Sequence, residues 1–261
     1  MFIPNNIFQC HRSFLYINQN YQLRNAVTSW LNHTSNFNYY FYSDSMCDSF
    51  MKNNTSEKTY AAYLKLPLPV MKADLWRYCI IYEKGGIYAD ADTICLVDPK
   101  YLITYYNNYN LIFALEGKYG LPHLFCQWWF AAPKNSPVLK IIIDNIVNKI
   151  LSTNFNTITD SNFIHKITGP TIFTESIEQY LHRNKISIYK NKYNYLIYTN
   201  KLVKIINPDI FHTKYIKHLG TGSLKFGWKN QKTLFLKNNL EKKVVNKNNI
   251  PPHRVSMITN E

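Results

Sequence analysis

The spacing of apolar positions divides the chain into strand-like and helix-like stretches. Residues 3–9 are short, apolar and without a helix-start signal, which predicts a first strand. Leu23, Val27, Trp30 and Leu31 recur at the spacing of one helical face. The aromatic run 37–42, closed by Ser43-Asp44, suits a second strand. Strand, helix, strand at the start predicts a βαβ unit and a parallel sheet. Residues 51–57 read as a polar loop and 60–66 as a short helix stopped by Pro67. From Val70 to Lys84 a helix is expected, with Met71, Leu75, Tyr78, Cys79 and Tyr82 on its apolar side, and Gly85-Gly86 closes it. A strand over 87–96 follows, then strands over 111–115 and 128–132. Ser136-Pro137 and Gly169-Pro170 open two further helices, reaching Leu151 and His182. Beyond Asn184 short strands and turns are expected. The pattern predicts an α/β protein with one domain over 1–240 and a polar, irregular tail over 241–261.

Composition sharpens this picture only in places. Hydrophobic residues at 46% and aromatics at 16% exclude a disordered chain. The formal charge of +14 raises the question of nucleic acid, but Lys and Arg are scattered, with no run longer than a pair such as Lys242-Lys243. No nucleic-acid partner is therefore expected, and an anionic small substrate accounts equally well for the charge. Cys10, Cys47, Cys79, Cys95 and Cys126 form no Cys-x-x-Cys pair and are expected to be buried free thiols. No apolar run reaches the roughly 20 residues of a membrane helix. The start lacks the pattern of a signal peptide, so the expectation is a cytoplasmic protein without a transmembrane segment.

The chemistry concentrates in residues 72–92. On a helix, Asp74 and Arg77 lie three apart on one face. On a strand, Tyr88, Asp90 and Asp92 would share one side while Ile87, Ala89 and Ala91 face the other. Two carboxylates so placed make a hard, oxygen-rich site suited to Mn²⁺ or Mg²⁺ beside substrate phosphates. A lone Asp-x-Asp is common on solvated loops. Here it follows an apolar helix with two embedded charges, and such charges are costly unless they serve each other or a ligand.

Asp74-Leu75-Trp76-Arg77, continued by residues 82–92 (Tyr-Glu-Lys-Gly-Gly-Ile-Tyr-Ala-Asp-Ala-Asp), resembles the signature of the DXD sugar-binding glycosyltransferases. These include the yeast-type initiating α-mannosyltransferases, the α-1,4-galactosyl- and N-acetylglucosaminyltransferases and, more distantly, the glucosylating clostridial toxins. The opening Ile3-Pro4-Asn5-Asn6-Ile7-Phe8-Gln9 is similar to that family's first strand. Phe130-Ala131-Ala132-Pro133, Thr168-Gly169-Pro170 and a late His218, Gly222-Ser223 and Trp228 are looser matches.

The resemblance implies a GT-A-like fold, Rossmann-like, with a mostly parallel sheet flanked by helices. It implies a metal-dependent, retaining transfer of a hexose from a UDP-sugar or GDP-sugar donor to a glycan or protein acceptor, with Mn²⁺ or Mg²⁺ as cofactor. Asp92 would bind the metal, with Asp90 on the donor and touching the metal through water. Asp74 and Arg77 would grip the transferred sugar, so that Asp74, Arg77, Asp90 and Asp92 form the catalytic set. Tyr88 would pack on the ribose, and Ile7, Phe8 and Gln9 would line the nucleoside pocket. His218, Ser223 and Trp228 would close over metal and diphosphate, His218 as a ligand. Glu116 and Asp144 are unassigned carboxylates read as surface groups. Trp128-Trp129 could stack on an acceptor sugar or sit in the core. A metal-dependent nucleotide hydrolase and a non-catalytic glycan- or nucleic-acid-binding relative are the alternatives.

Overall fold

The computed structural model describes residues 2–34, 36–106, 108–116, 124–186, 188–190, 195–197, 202–206, 210–221 and 227–248. The strands are β1 (Asn6–Cys10), β2 (Asn38–Tyr42), β3 (Gly86–Ala89), β4 (Thr93–Cys95), β5 (Leu111–Glu116), β6 (Leu124–Ala132), β7 (Ile188–Lys190), β8 (Tyr195–Ile197), β9 (Val203–Ile206) and β10 (Ile216–His218). Six of them build a sheet in the order β2-β1-β3-β6-β5-β9. β1 runs parallel to β2 and β3, and β5 parallel to β9. β6 is antiparallel to both its neighbours, β3 and β5. The architecture is thus the expected α/β one with a mostly parallel sheet, and the carboxyl ends of β1, β3 and β5 meet at one edge.

The helices are α1 (Phe14–Gln19), α2 (Tyr21–His33), α3 (Asp44–Asn54), α4 (Glu57–Lys65), α5 (Pro69–Lys84), α6 (Lys100–Tyr105), α7 (Pro137–Ser152), α8 (Phe163–Ile167), α9 (Pro170–Arg183) and α10 (Trp228–Asn248). Alternation along the strands sorts side chains to two faces. Phe8, Tyr88, Phe113 and Phe130 pack with residues of α5, α7 and α9. Ile7, Ile87, Ile112 and Ala131 pack on the other side with Trp30 of α2 and with Phe211. α5 lies so deep that residues on every side of it are buried, from Met71 and Asp74 to Ile80 and Ile81. Its Asp74 and Arg77 are therefore inside the protein as a direct result of packing.

Three expectations need correcting. Residues 51–57 are not a loop throughout. α3 runs to Asn54, capped by Ser43 Oγ accepting from the Met46 amide, with Cys47, Phe50 and Met51 as a short apolar stripe. The strand expected over 87–96 is two strands with a turn at residues 90–92. The Asp90 amide continues the ladder by donating to Trp128 O at 2.8 Å, and the Asp90 carbonyl is then taken by the Thr93 amide at 3.1 Å. The aspartates therefore stand on a turn at the sheet edge, off any strand. Finally, α10 runs from Trp228 to Asn248, so residues 228–240 are helical where short strands and turns are expected, and residues 241–248 where an irregular tail is expected. That stretch lacks Gly and Pro, and nothing in it stops a helix.

Gly86 shows how tightly β1 and β3 are joined. Its φ is +120°, and an added Cβ would lie 2.5 Å from Asn6 O. Gly86→Ala is expected to cost about 2–4 kcal/mol of stability, read as a lower urea midpoint with an unchanged slope.

Candidate active site

α5 delivers Arg77 beneath the sheet edge, where it joins three elements. Its Nη2 lies 3.0 Å from Asp74 Oδ1 and 3.3 Å from Asp90 Oδ1. Nη1 donates to Gln127 O at 3.4 Å, and the guanidinium sits 4.7 Å above the Tyr88 ring. Asp74 is only 1% exposed, and both its oxygens are engaged. Oδ1 also accepts from Gln127 Nε2 at 3.3 Å, and Oδ2 from Thr168 Oγ1 at 2.8 Å. Burial pushes the Asp74 carboxyl up to about 7, opposed by Arg77 and by the Thr168 and Gln127 donors. Asp74 therefore acts first as the anchor of Arg77. Tyr88 is likewise buried, and its hydroxyl donates to Asp90 Oδ1. Its ring packs against Trp76, Phe130 and Arg77, and the residue lines the same cleft as Asp90 and Asp92.

The turn at residues 90–92 is pinned from below. Gln9 Nε2 donates to Asp90 O at 3.0 Å, and Tyr39 Oη donates to Gln9 Oε1 at 2.6 Å. Thr93 Oγ1 donates to the same carbonyl at 2.6 Å, and Trp30 Nε1 reaches Thr93 O at 2.9 Å. Ile7, Phe8 and Gln9 are accordingly core or buttress residues, contrary to their expected place in a nucleoside pocket. Residues 10–12, just past them, line the cleft instead.

The far end of the chain completes the site. β10 pairs antiparallel with β4, setting His218 opposite Thr93. His218 Nε2 lies 3.2 Å from Asp92 Oδ1, and the imidazole stacks on Trp128 at 4.7 Å between centroids. Asp92 Oδ2 accepts from the Thr221 amide at 2.8 Å and from Thr221 Oγ1 at 2.9 Å. Burial alone would raise the Asp92 carboxyl, but the His218 and Thr221 hydrogen bonds hold it at about 2. His218 would be lowered by burial, and Asp92 raises it above its ordinary value. One donor atom each from Asp90, Asp92 and His218 lie within 4.8 Å of one another. Two hard carboxylates and one imidazole make a donor set that fits a divalent cation such as Mn²⁺ or Mg²⁺.

These residues floor a cleft of about 490 Å³. His11, Arg12, Tyr16, Glu116, Gln127, Trp128, His165 and Trp228 line it as well. His11 stacks on Tyr16, and burial lowers its imidazole to about 4, so it is neutral. Trp228 begins α10 and lines the cleft, whereas Ser223 lies outside the described residues. Trp129 is buried in the core, whereas Trp128 lines the cleft with its ring stacked on His218. Asp144 is a surface group paired with Lys140 at 2.6 Å, but Glu116 is not a surface group and lines the cleft. Arg12, Gln127 and Thr221 are cleft residues that no spacing rule singled out. His11 and Arg12 stand directly past a parallel strand, at the edge where open α/β sheets bind ligands.

Residues 21–109 match the family model described as glycosyltransferase sugar-binding region containing DXD motif. That region is similar to the sugar-binding region of DXD-containing glycosyltransferases. An initiation-specific α-1,6-mannosyltransferase of Candida albicans is 26% identical over 196 residues, covering 63% of this chain and 50% of its own length. One of Schizosaccharomyces pombe is 32% identical over 143 residues, covering 49% of this chain and 36% of its own. The chain thus spans half or less of the length of these yeast relatives. An uncharacterised glycosyltransferase of Acanthamoeba polyphaga mimivirus is 27% identical over 227 residues, 82% of this chain and 76% of its own. Among solved structures, the PaToxG glycosyltransferase aligns with a TM-score of 0.49 at 16% identity, over 69% of this chain and 70% of its own. The glycosyltransferase GlyE of Streptococcus pneumoniae aligns at 0.46 and 11% identity, over 94% of this chain and 63% of its own. All five cysteines are buried and free. Among the described residues, no helix is long and apolar enough to cross a membrane.

Removing Arg77 strands two buried carboxylates. Arg77→Ala is expected to lose about 3–5 kcal/mol in urea unfolding, and Arg77→Lys less, because lysine keeps the charge but not the fork. The Asp92–His218 pair has its own pH signature in the metal-free protein. Asp92 is depressed from 3.8, so its contribution is present above that value and fades as pH falls through about 2. His218 is elevated from 6.5, so its contribution is present below that value and is lost as pH rises through the elevated one. The stability gap between wild type and Asp92→Asn should therefore be widest from 3.8 to 6.5. Urea titrations of both proteins across pH check this.

Proposed function

We propose that this protein is a divalent-metal-dependent glycosyltransferase that moves a hexose from a UDP-sugar or GDP-sugar to a hydroxyl of a glycan or protein acceptor. The observation that carries the reading is the convergence of Asp90, Asp92 and His218 in one cleft with the Asp74–Arg77 pair. The matched DXD sugar-binding region holds four of these five residues, and His218 comes from far outside it.

A divalent cation held by Asp90, Asp92 and His218 would supply positive charge against the leaving diphosphate. Asp92 suits this because its carboxyl is ionised at any physiological pH. Arg77, held rigid by Asp74 and the Tyr88 ring, keeps one face of Asp90 occupied and orients its other oxygen. The Arg77 Nε is buried without a hydrogen-bond partner among the described residues, and it can donate to a sugar hydroxyl. Neutral His11 and the neighbouring Tyr16 ring give a flat, apolar-faced platform suited to a nucleoside base. Trp228 and His165, which line the cleft, would close over the donor and exclude water, favouring transfer over hydrolysis. Retention of anomeric configuration is part of this reading and rests on the family resemblance.

The test is incubation with a panel of UDP- and GDP-sugars and Mn²⁺, following nucleoside diphosphate release. Asp92→Ala should lower that release by about a thousandfold, the order expected when a metal's charge stabilisation is lost. Release that needs no metal, or equal turnover by Asp92→Ala, would overturn the reading. Cleavage of plain nucleoside diphosphates would favour a hydrolase instead.

A further inference from the structure

We infer that Thr221 is a positioning residue that decides which cation the site takes. By leaving Asp92 a single oxygen to offer, it selects Mn²⁺ or Mg²⁺ against Ca²⁺. The inference rests on the divalent-metal reading and adds to it the residue that sets cation choice.

A carboxylate oxygen has two lone pairs. At Asp92 both lone pairs of one oxygen are filled by a single residue. Oδ2 accepts from the Thr221 amide at 2.8 Å and from Thr221 Oγ1 at 2.9 Å, while Oδ1 lies 3.2 Å from His218 Nε2. Oδ1 is therefore the oxygen on the side of the cation cluster, and Oδ2 is committed to Thr221. Asp90 is treated alike. Its Oδ1 accepts from Tyr88 Oη and lies 3.3 Å from Arg77 Nη2, which leaves Oδ2 as the oxygen to offer. Each aspartate is thus a one-oxygen ligand by construction, through different partners.

The backbone beside Thr221 is shaped for this grip. The Leu219 amide donates to Asp92 O at 2.9 Å, so residues 219 and 221 hold the same aspartate by its carbonyl and by its carboxylate. Gly220 between them has a φ of +67°, and this left-handed turn sets both amides towards Asp92. A Cβ added at Gly220 would meet nothing within 4 Å, so the glycine serves the backbone conformation and not the packing.

The number of oxygens demanded separates the cations. Ca²⁺ takes about six to eight and readily draws two from one carboxylate. Mg²⁺ demands a near-octahedral shell and binds through one or two carboxylates with water and phosphate, and Mn²⁺ accepts the same shell. An aspartate with one oxygen closed off suits the second group and is a poor ligand for Ca²⁺. Asp90 and His218 are kept in every variant below, so a change in preference belongs to residue 221.

Thr221→Val keeps the amide and the shape but removes the hydroxyl, which releases one lone pair of Oδ2. Binding is measured on the full chain without donor. Mn²⁺ is followed by loss of the free-ion electron paramagnetic resonance signal, and Ca²⁺ and Mg²⁺ by competition against it. Wild type should prefer Mn²⁺ to Ca²⁺. In Thr221→Val, Mn²⁺ should bind about tenfold more weakly, the order seen when a hydrogen bond to a metal ligand is lost, while Ca²⁺ binds as well or better. Thr221→Ser restores the hydroxyl and should restore the preference. Thr221→Ala removes the same hydroxyl without the branched side chain and serves if the valine variant fails to fold. An unchanged preference in Thr221→Val or Thr221→Ala overturns the inference, as does a serine variant that behaves like valine. A parallel loss of Mn²⁺ and Ca²⁺ also overturns it, being the mark of a merely structural role. If the wild type binds none of the three cations, the divalent-metal reading itself fails and the inference falls with it. A wild type that binds Mn²⁺, beside variants of unchanged preference, sinks the inference alone.

Discussion

A buried guanidinium sets the terms for this site. Arg77 enters a helix that the core surrounds on all sides, and a charge there is tolerable only if every nearby acceptor is aimed at it. Asp74 on the preceding turn, Asp90 at the sheet edge, the Gln127 carbonyl and the Tyr88 ring all are. Each belongs to a different part of the chain, so satisfying Arg77 simultaneously fixes α5, β3 and β6 relative to one another. The first aspartate of Asp90-Ala91-Asp92 is thereby oriented before any ligand arrives. Preorganisation of this kind is what lets an active site stabilise charge without rearranging at the moment of reaction.

The two aspartates are held by different means and have different electrostatic characters. Asp90 faces inward to Arg77 and Tyr88, and burial raises it. Asp92 faces Thr221 and His218 and is held strongly ionised. A one-residue spacer across a turn suffices to give neighbouring carboxylates opposite partners. The alanine between them is buried against Leu23 and Val27 of α2, so the turn is packed from the side as well as pinned from below.

Much of this was legible in the residues themselves. Helical spacing placed Asp74 beside Arg77, proline and serine signals placed α7 and α9, and the Gly-Gly break placed the end of α5. The Asp-x-Asp motif was legible as chemistry but not as geometry: an alternating pattern over 87–96 reads as one strand, and only the Asp90–Thr93 turn shows otherwise. Ile7 and Phe8 lie in the core, a place not legible because a strand's apolar residues look alike whether they line a pocket or fill an interior, and Gln9 is held by Asp90 and Tyr39. Glu116 was hidden for a related reason. A lone carboxylate at the end of an apolar run looks like a solvated strand terminus, and only the sheet order brings it to the cleft. Thr221 could not be foreseen, because hydrogen bonds across 129 residues leave no local trace.

That separation has a consequence for the making of the protein. Synthesis proceeds from the N-terminus, so Asp90 and Asp92 leave the ribosome long before His218 and Thr221 do. An emerging chain can already assemble the Arg77 network from α5 and β3, and complete it once β6 appears. It still lacks the strand that pairs with β4 and the imidazole beside Asp92. The cluster of Asp90, Asp92 and His218 is therefore incomplete until β10 has been made and has found its partner.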